Sequence, residues 1–591
     1  MKPIIHELGA RVRDALAAIG VDADPLLARS GDPKFGDYQS NAAMGLAKKL
    51  GRKPRDLAQA IVDAITVDDL CEPPTIAGPG FINFRLSPSF LAARLAAIPP
   101  APEDGSDRLG LDSAENPDVV VVDLSSPNLA KEMHIGHLRS TVIGDCVARV
   151  LEFQGHTVHR ENHVGDWGTQ FGMLVAYLKR TEPEVVENPD TLEIGDLESF
   201  YVEAKALFDA DDDFKTESRE TVVALQSGDP VIRRIWKAFC DESLRHCHAI
   251  YDRLGVRLID RGESFYNDLM DEVIIRLEKA RDSGDHDYVR DSDGALCIFP
   301  GGFTTRDGDP LPLLVRKSDG GFNYATSDLA TILHRVEQLK ATRIIYVVGI
   351  TQKQHFDMLF AAVRKVGWVD QEMPLEHLAF GNVLASDGRP FKTREGGVVK
   401  LKDVLEQAVA RARGVIEKDS DLSADQADNV AETVGLAAVK YFDLCHSLKS
   451  DYKFNLDHML AMEGNTAPYM LYAYARIRSI QRKAKVDHVQ LTADMQITIE
   501  HPAEIELATK LLQFAEVIET VGRDLYPNVL TDYLFELAKS FSRFYDKKIG
   551  VRVIDASPDS VRLSRLRLCD LTARALSLGL HLLGIETLDR M

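Results

Sequence analysis

No stretch of the chain is apolar over the roughly twenty residues that a membrane-spanning helix needs, which excludes a helical membrane protein. The start, Met1-Lys2-Pro3-Ile4-Ile5-His6-Glu7, lacks the apolar core of a signal peptide. Cysteines are few and unpaired: Cys71, Cys146, Cys240, Cys247, Cys297, Cys445 and Cys569 form no Cys-x-x-Cys motif. An odd, scattered set excludes a disulfide framework and suits a reducing compartment, so a cytoplasmic location with no membrane partner is expected. Cys240, His246, Cys247 and His248 lie close together, but their spacing fits no zinc knuckle, and no metal site is expected there. Repeats and low-complexity tracts are absent too, which excludes a solenoid. Basic charge is also in deficit: 70 Lys and Arg face 91 Asp and Glu, for a net charge of −21.

That balance argues against a nucleic-acid partner, yet the charge is unevenly spread. Residues 181–220 hold fourteen acidic and three basic residues. Residues 541–575 hold eight Lys or Arg against four Asp, and Ala475–Lys485 is basic behind Tyr469, Tyr472 and Tyr474. Such runs are either solvated helix faces or a phosphate-contacting surface confined to the C-terminal third.

The richest stretch is present rather than absent. Val119-Val120-Val121-Val122 reads as a buried strand, broken at Ser125-Ser126-Pro127-Asn128. Next comes His134-Ile135-Gly136-His137, and then an apolar stripe through Leu138, Val142, Ile143, Val147, Val150 and Leu151 that ends at Gly155. His156–Arg160 reads as a second strand. A helix N-terminus offers free N–H groups and a positive dipole end, suited to phosphate. Two imidazoles beside it can donate to oxygens whose charge grows as an α-phosphorus is attacked, so the loop reads as one that activates a carboxylate with ATP.

Around it lies an α/β chain, read as a Rossmann-type doubly wound domain at 115–400. A mostly helical, acidic insertion occupies about 177–300, and Leu311–Arg316 and Arg343–Val348 resume the α/β pattern. The first hundred residues read as a small α+β domain with a strand at Phe81–Leu86, and 99–107 as a linker. Helical patterning follows throughout: a connecting region at 401–455 and an all-helical domain at 456–591, with Leu507, Leu511, Phe514 and Ile518 as one stripe.

Several motifs together give the chain a family likeness. They are Phe35-Gly36-Asp37-Tyr38, Gly78–Asn83, Ser126–Ser140 and Gly165-Asp166-Trp167-Gly168-Thr169-Gln170-Phe171-Gly172. With them stand Tyr324–Ala330, Phe391–Val399 and Glu463–Tyr469. On these motifs the chain resembles a class I aminoacyl-tRNA synthetase, and specifically the arginyl-tRNA synthetases. The resemblance implies that L-arginine is attached to tRNA(Arg) through an arginyl-adenylate, with ATP and Mg2+ as substrate and no tightly bound cofactor. It also implies that tRNA must bind before activation, that the C-terminal domain reads the anticodon, and that the enzyme is a monomer. The alternative is a catalytically inactive, synthetase-derived RNA-binding protein.

Residue by residue, the resemblance makes His134, Gly136, His137 and Lys131 catalytic. Pro127, Met133, Ile135, Arg389, Lys392 and Arg394 would lie on ATP. A guanidinium is planar and always charged, so selecting it calls for carboxylates and a flat partner. Asp123, Tyr324 and Asp328 are similar to the family's guanidinium ligands, and Asn128 and Gln352 to those of the amino-acid head group. Phe81, Asn83, Tyr474, Arg476 and Met591 would contact tRNA, Phe81 and Asn83 from one face of their strand. Gly165–Gly172 reads as a tight turn walling the entrance for the tRNA end. In one respect the pattern departs: Pro390 and Thr393 stand where class I enzymes usually carry the lysines of a Lys-Met-Ser-Lys-Ser loop. The phosphate-binding cation is then expected among Lys131, Arg389, Lys392 and Arg394.

Overall fold

The computed structural model describes residues 2–102, 104–184, 188, 196–283, 287–318, 320–385, 387–389, 399–416, 423–485, 491, 495–549 and 551–591. The chain forms two compact units. One comprises residues 114–412 with 446–456, the other residues 1–113 with 413–445 and 457–591.

In the first unit a five-stranded parallel sheet runs in the order Leu375–His377, Arg343–Tyr346, Val119–Asp123, Thr157–Asn162 and Ile259–Asp260. The β-branched run Val119–Val122 takes the middle, where both faces are covered and an unbroken apolar strand is favoured. The chain leaves this strand toward one edge and returns on its other side, so the topological switch point lies beside Asp123. Register then sets Glu161, Asp123 and Tyr346 in one row across three strands. The helix Ile135–Gln154 follows the central strand, is buried nearly all round, and ends on Gly155 at φ 97°, a left-handed cap that favours glycine.

Some readings of the sequence change here. The segment taken as an insertion contains the edge strand Ile259–Asp260, so the mostly helical excursion closes near Leu254. Its acidity has a local cause: Asp196, Asp211 and Asp229 cap three successive helices with their side chains, and Glu198, Asp212 and Asp213 occupy first turns, where the dipole favours anions. Leu313–Arg316 does not join the parallel sheet. It pairs antiparallel with Ala295–Ile298, since no crossover helix separates the two. Nor is the chain helical throughout beyond 400, because Tyr452–Lys453 forms a two-residue parallel pairing with Val383–Leu384.

In the other unit, a four-stranded antiparallel sheet (Leu27–Arg29, Tyr38–Ser40, Phe81–Phe84, Thr75–Ala77) packs with its helices against the C-terminal helices. Glu516 of the helix Phe514–Asp524 is the hub. Its Oε1 accepts from Tyr38 Oη at 2.6 Å and Ile5 N at 3.1 Å, and its Oε2 from Arg29 Nε at 2.7 Å. The stripe of Leu507, Leu511, Phe514 and Ile518 is buried, but on two helices that meet at Gln513. Most of the basic run at 541–575 is spent internally: Arg565 pairs with Glu504, Arg567 with Asp570, Arg574 with Asp107, Arg562 with Asp559 and Arg543 with Glu506. Among the described residues no helix is long and apolar enough to cross a membrane.

Candidate active site

The loop after the central strand is strained and held from two sides. Ser125 and Ser126 have φ of 68° and 52°, a left-handed conformation that costs a β-carbon-bearing residue on the order of 1 kcal/mol. Ser125 N donates to Ser140 Oγ at 2.8 Å, and Ser126 N to Asn162 Oδ1 at 2.8 Å. Ser140 Oγ in turn donates to Val347 O at 2.6 Å. One serine of the long helix thus ties together the two loops that diverge at the switch point. Further along, Leu129 N donates to Gly165 O and Gly165 N to Pro127 O, both at 3.0 Å, which zips the Gly165 turn onto the signature loop.

This loop delivers His134 as N-cap of the helix and His137 one turn in. The main-chain N–H of Gly136 donates to His134 Nδ1 at 3.0 Å, and that of His134 to His137 Nδ1 at 3.0 Å. An accepting Nδ1 carries no proton, so each ring presents Nε2–H. The rings lie 3.9 Å apart, tilted by 33°. Burial and then the charge of Lys131 lower the pKa of His134, while burial and then His134 hold His137 down to about 3. Both are therefore neutral donors at neutral pH. A side chain at Gly136 would meet the His134 ring at 2.8 Å, so the motif needs glycine for the ring to fold back.

The histidines line a cavity of about 820 Å³ with two chemically distinct walls. One is His134, Gly136, His137 and Arg139 with the Phe380–Leu384 segment. The other is acidic and aromatic: Asp123, Glu263, Asp328 and Tyr324, beside Asn128 and Gln352. Tyr324 and Asp328 share a face of the helix Tyr324–Glu337, and Tyr324 is 67% exposed. Asp328 Oδ2 lies 2.6 Å from His355 Nε2, against whose ring Tyr324 packs edge-on at 4.9 Å.

Asp123, expected to face a substrate guanidinium, lines the cavity and already meets a guanidinium from the protein. Arg335, whose side chain is fully buried, donates Nη2 to Asp123 Oδ2 at 2.6 Å and Nε to Glu161 Oε2 at 2.7 Å, with its guanidinium 5.0 Å from the Tyr346 ring centre. Ser126 Oγ takes the other Asp123 oxygen at 2.9 Å. The row of Glu161, Asp123 and Tyr346 built by strand register is what Arg335 covers, and that register could not be read from sequence. Arg335 itself left a trace, a charge seven residues after Asp328 on the same helix face.

Glu263 is a carboxylate that the sequence reading missed. It follows the two-residue edge strand, too short to recognise, at the end of the sheet where ligands bind. Burial, then Asp166 and Asp328, push its pKa up to about 7. Asp166 accepts from Ser264 N and Oγ at 2.9 and 2.5 Å, and Trp167 packs edge-on against Trp236 at 5.3 Å, so the Gly165 turn forms a rigid wall of the cavity.

Other expected residues lie elsewhere. Pro127, Met133 and Ile135 are buried around the signature loop. Lys131 is exposed, its Nζ 4.4 Å from the Tyr201 ring centre, and it lines a separate cavity of about 330 Å³. Arg389 is exposed beside Asp387, whereas Lys392 and Arg394, like Pro390 and Thr393, fall outside the described residues. In the other unit Asn83 is buried and its Oδ1 accepts from Gln39 Nε2 at 2.7 Å, so it offers far less to a partner than an exposed amide would. Phe81 is half-buried, and Tyr474 Oη reaches Asp589 at 3.3 Å. Arg476 lies over the Tyr545 ring at 5.2 Å, and Met591 is half-buried at the chain end. No cluster of three potential metal ligands occurs among the described residues; His246 faces Glu242 and His248 faces Asp260.

Comparison with known proteins agrees with this geometry along the whole chain. Residues 106–456 match the family model for the catalytic domain of class I tRNA synthetases (R). Residues 470–591 match that of the DALR anticodon binding domain, and residues 6–86 that of the arginyl tRNA synthetase N-terminal domain. The chain is 49% identical to an arginine–tRNA ligase of Nostoc sp., covering 99% of each chain, and 49% identical to one of Crocosphaera subtropica over 100% of each. Among solved structures it is similar to the arginyl-tRNA synthetase of Plasmodium falciparum, with a TM-score of 0.85, 30% identity and full coverage of both chains. The arginyl-tRNA synthetase of Thermus thermophilus gives a TM-score of 0.81 at 26% identity, again with full coverage of both. Signature loop, acidic wall and three domain matches in their expected order thus converge, and the chain belongs to the class I arginyl-tRNA synthetases.

Proposed function

We propose that this chain, an arginine–tRNA ligase, activates L-arginine in the cavity at the switch point, with ATP and its Mg2+ as substrates. An arginine carboxylate oxygen attacks the α-phosphorus, the bond to the bridging oxygen breaks, and pyrophosphate leaves. The terminal ribose hydroxyl of tRNA(Arg) then attacks the arginyl carbonyl and AMP departs. The observation that carries this reading is the pair of neutral Nε2–H donors at a helix N-terminus, in one cavity with three carboxylates. His134 and His137 donate to the α-phosphate oxygens. Asp328, Tyr324 and Glu263 receive the guanidinium, with Asp123 acting mainly through Arg335, and Gln352 and Asn128 hold the head group. Pro127, Met133 and Ile135 shape the ATP side, and the triphosphate draws on Lys131, Arg389, Lys392 and Arg394. Lys131 must leave the Tyr201 ring to do so. Phe81, Tyr474, Arg476 and Met591 meet tRNA.

The inactive alternative has no support, because relatives that match end to end carry the ligase name. The direct test is ATP–pyrophosphate exchange and tRNA charging with each amino acid, with and without bulk tRNA. Arginine alone should give stable charging. Charging with glutamine or lysine but not with arginine would overturn the reading.

Arginine affinity should also depend on pH. Glu263, raised to about 7 in the free protein, is protonated below that pH, and a bound guanidinium favours its ionised form. Binding therefore releases a proton at acid pH, and affinity climbs as pH rises to about 7 and then levels. Calorimetric titrations in buffers of different ionisation enthalpy should detect that proton at pH 6 and lose it in Glu263→Gln. A pH-independent arginine Kd between 5.5 and 8 would remove Glu263 from the guanidinium site.

A further inference from the structure

The chain just after residue 398 is fastened to the signature loop in a way that no motif announces. Val399 O accepts from Ile135 N at 3.2 Å, and Leu401 N donates to Met133 O at 2.9 Å, so Lys400 lies directly opposite His134 in a short antiparallel bridge. The Lys400 side chain then reaches outward. Its Nζ is 3.3 Å from Glu132 Oε2 and 2.9 Å from Asp196 Oδ1. Asp196 is the N-cap of the helix Leu197–Ala210, accepting from Glu198 N and Ser199 N at 3.1 Å each. That cap gives its carboxylate a fixed orientation, and the Lys400 hydrogen bond holds its pKa down to about 2. Tyr201 of the same helix meets Lys131, and Leu197, buried, packs into the cavity lined by Lys131, Glu132 and Met133. Lys131 and Glu132, just before His134, are thus both tied to the start of one helix, Lys131 through Tyr201 and Glu132 through Lys400 and Asp196.

We propose that Lys400 is a positioning residue for adenylate formation: through Glu132 and Asp196 it fixes the main chain at His134, and so the direction of the His134 Nε2–H donor. This deepens the reading above and rests on His134 acting at the α-phosphate. A lysine bridging two carboxylates is a stiff link only while both partners are present, and groups that orient a reacting residue contribute about ten- to a hundredfold where they have been removed in metal sites. Geometry a few tenths of an ångström off would weaken a directional donor without removing it.

The test is ATP–pyrophosphate exchange, with tRNA present, on Lys400→Met, Lys400→Arg, His134→Ala and the double variant Lys400→Met/His134→Ala. Lys400→Met should lower kcat about tenfold with the arginine KM within twofold, and Lys400→Arg should recover most of that. In the His134→Ala background Lys400→Met should cost nothing further, because it acts through the missing ring. A multiplicative loss in the double variant would overturn the proposal, as would a rise in ATP KM alone, which would make Lys400 a direct phosphate ligand. If His134→Ala itself leaves kcat intact, the histidine role fails. If it lowers kcat while Lys400→Met does not, only the positioning role fails. Asp196→Asn, nearly isosteric, provides a second variant should Lys400→Met fold poorly, and a kcat equal to that of the unsubstituted enzyme there would equally overturn it.

Discussion

His137→Ala is expected to lower kcat for adenylate formation about a hundredfold or more while the Kd for arginine changes little, the usual result of removing one donor that meets developing charge. The expectation follows from protonation and geometry together. His137 Nδ1 is spent on the His134 N–H, so the ring has one proton to offer, on Nε2. With its pKa held down to about 3, it offers that proton as a neutral donor across the working range. A neutral donor binds the ground-state triphosphate weakly and gains strength as charge grows on the α-phosphate oxygens. The effect should therefore fall on kcat, and kcat should show no inflection near pH 6 to 7 from either histidine. An inflection near pH 7 in kcat/KM for arginine belongs to arginine binding and Glu263. A loss of ATP or arginine ground-state binding with kcat intact would assign the pair to binding instead. Because His137 also accepts the His134 N–H, the alanine variant leaves that donor without its partner, and a fall in Tm of a few degrees should accompany it.

What could be read from the sequence divides along a physical line. Local chemistry was legible: the β-branched strand, the loop, the histidine pair at a helix start and the glycine that ends the helix all follow from short-range rules, and the observed elements lie where those rules put them. The pairing of Tyr324 with Asp328 was legible for the same reason, a spacing of four on one helix. What escaped depends on strand register and on chain segments far apart in sequence. Asp123 was visible as an acid at a strand end, but not Arg335 lying across the row it forms with Glu161 and Tyr346. Glu263 was invisible because the strand that positions it has two residues. The basic run at 541–575 looked available because its partners, Asp107 and Glu504 among them, lie elsewhere in the chain.

Asp328→Asn and Asp123→Asn, both near-isosteric losses of one charge, should separate these roles. Asp328 Oδ2 meets His355, and its carboxylate lies in the cavity wall beside exposed Tyr324, in reach of an incoming cation. Charge-assisted hydrogen bonds contribute about 1.5–3 kcal/mol each, so Asp328→Asn should raise the arginine KM by roughly ten- to a hundredfold and leave Tm nearly unchanged. Asp123 is different. Its loss leaves the fully buried Arg335 with Glu161 as its one remaining carboxylate partner, and breaking such a pair costs about 3–5 kcal/mol. Asp123→Asn should therefore lower Tm by several degrees, with any rise in arginine KM secondary to a disturbed end of the central strand. Thermal melts with and without arginine give the comparison directly: saturating arginine should stabilise Asp123→Asn by nearly the usual increment and Asp328→Asn by far less. If instead Asp123→Asn keeps its Tm and loses the arginine-dependent increment, the substrate guanidinium binds at Asp123, and Arg335 must move aside to admit it.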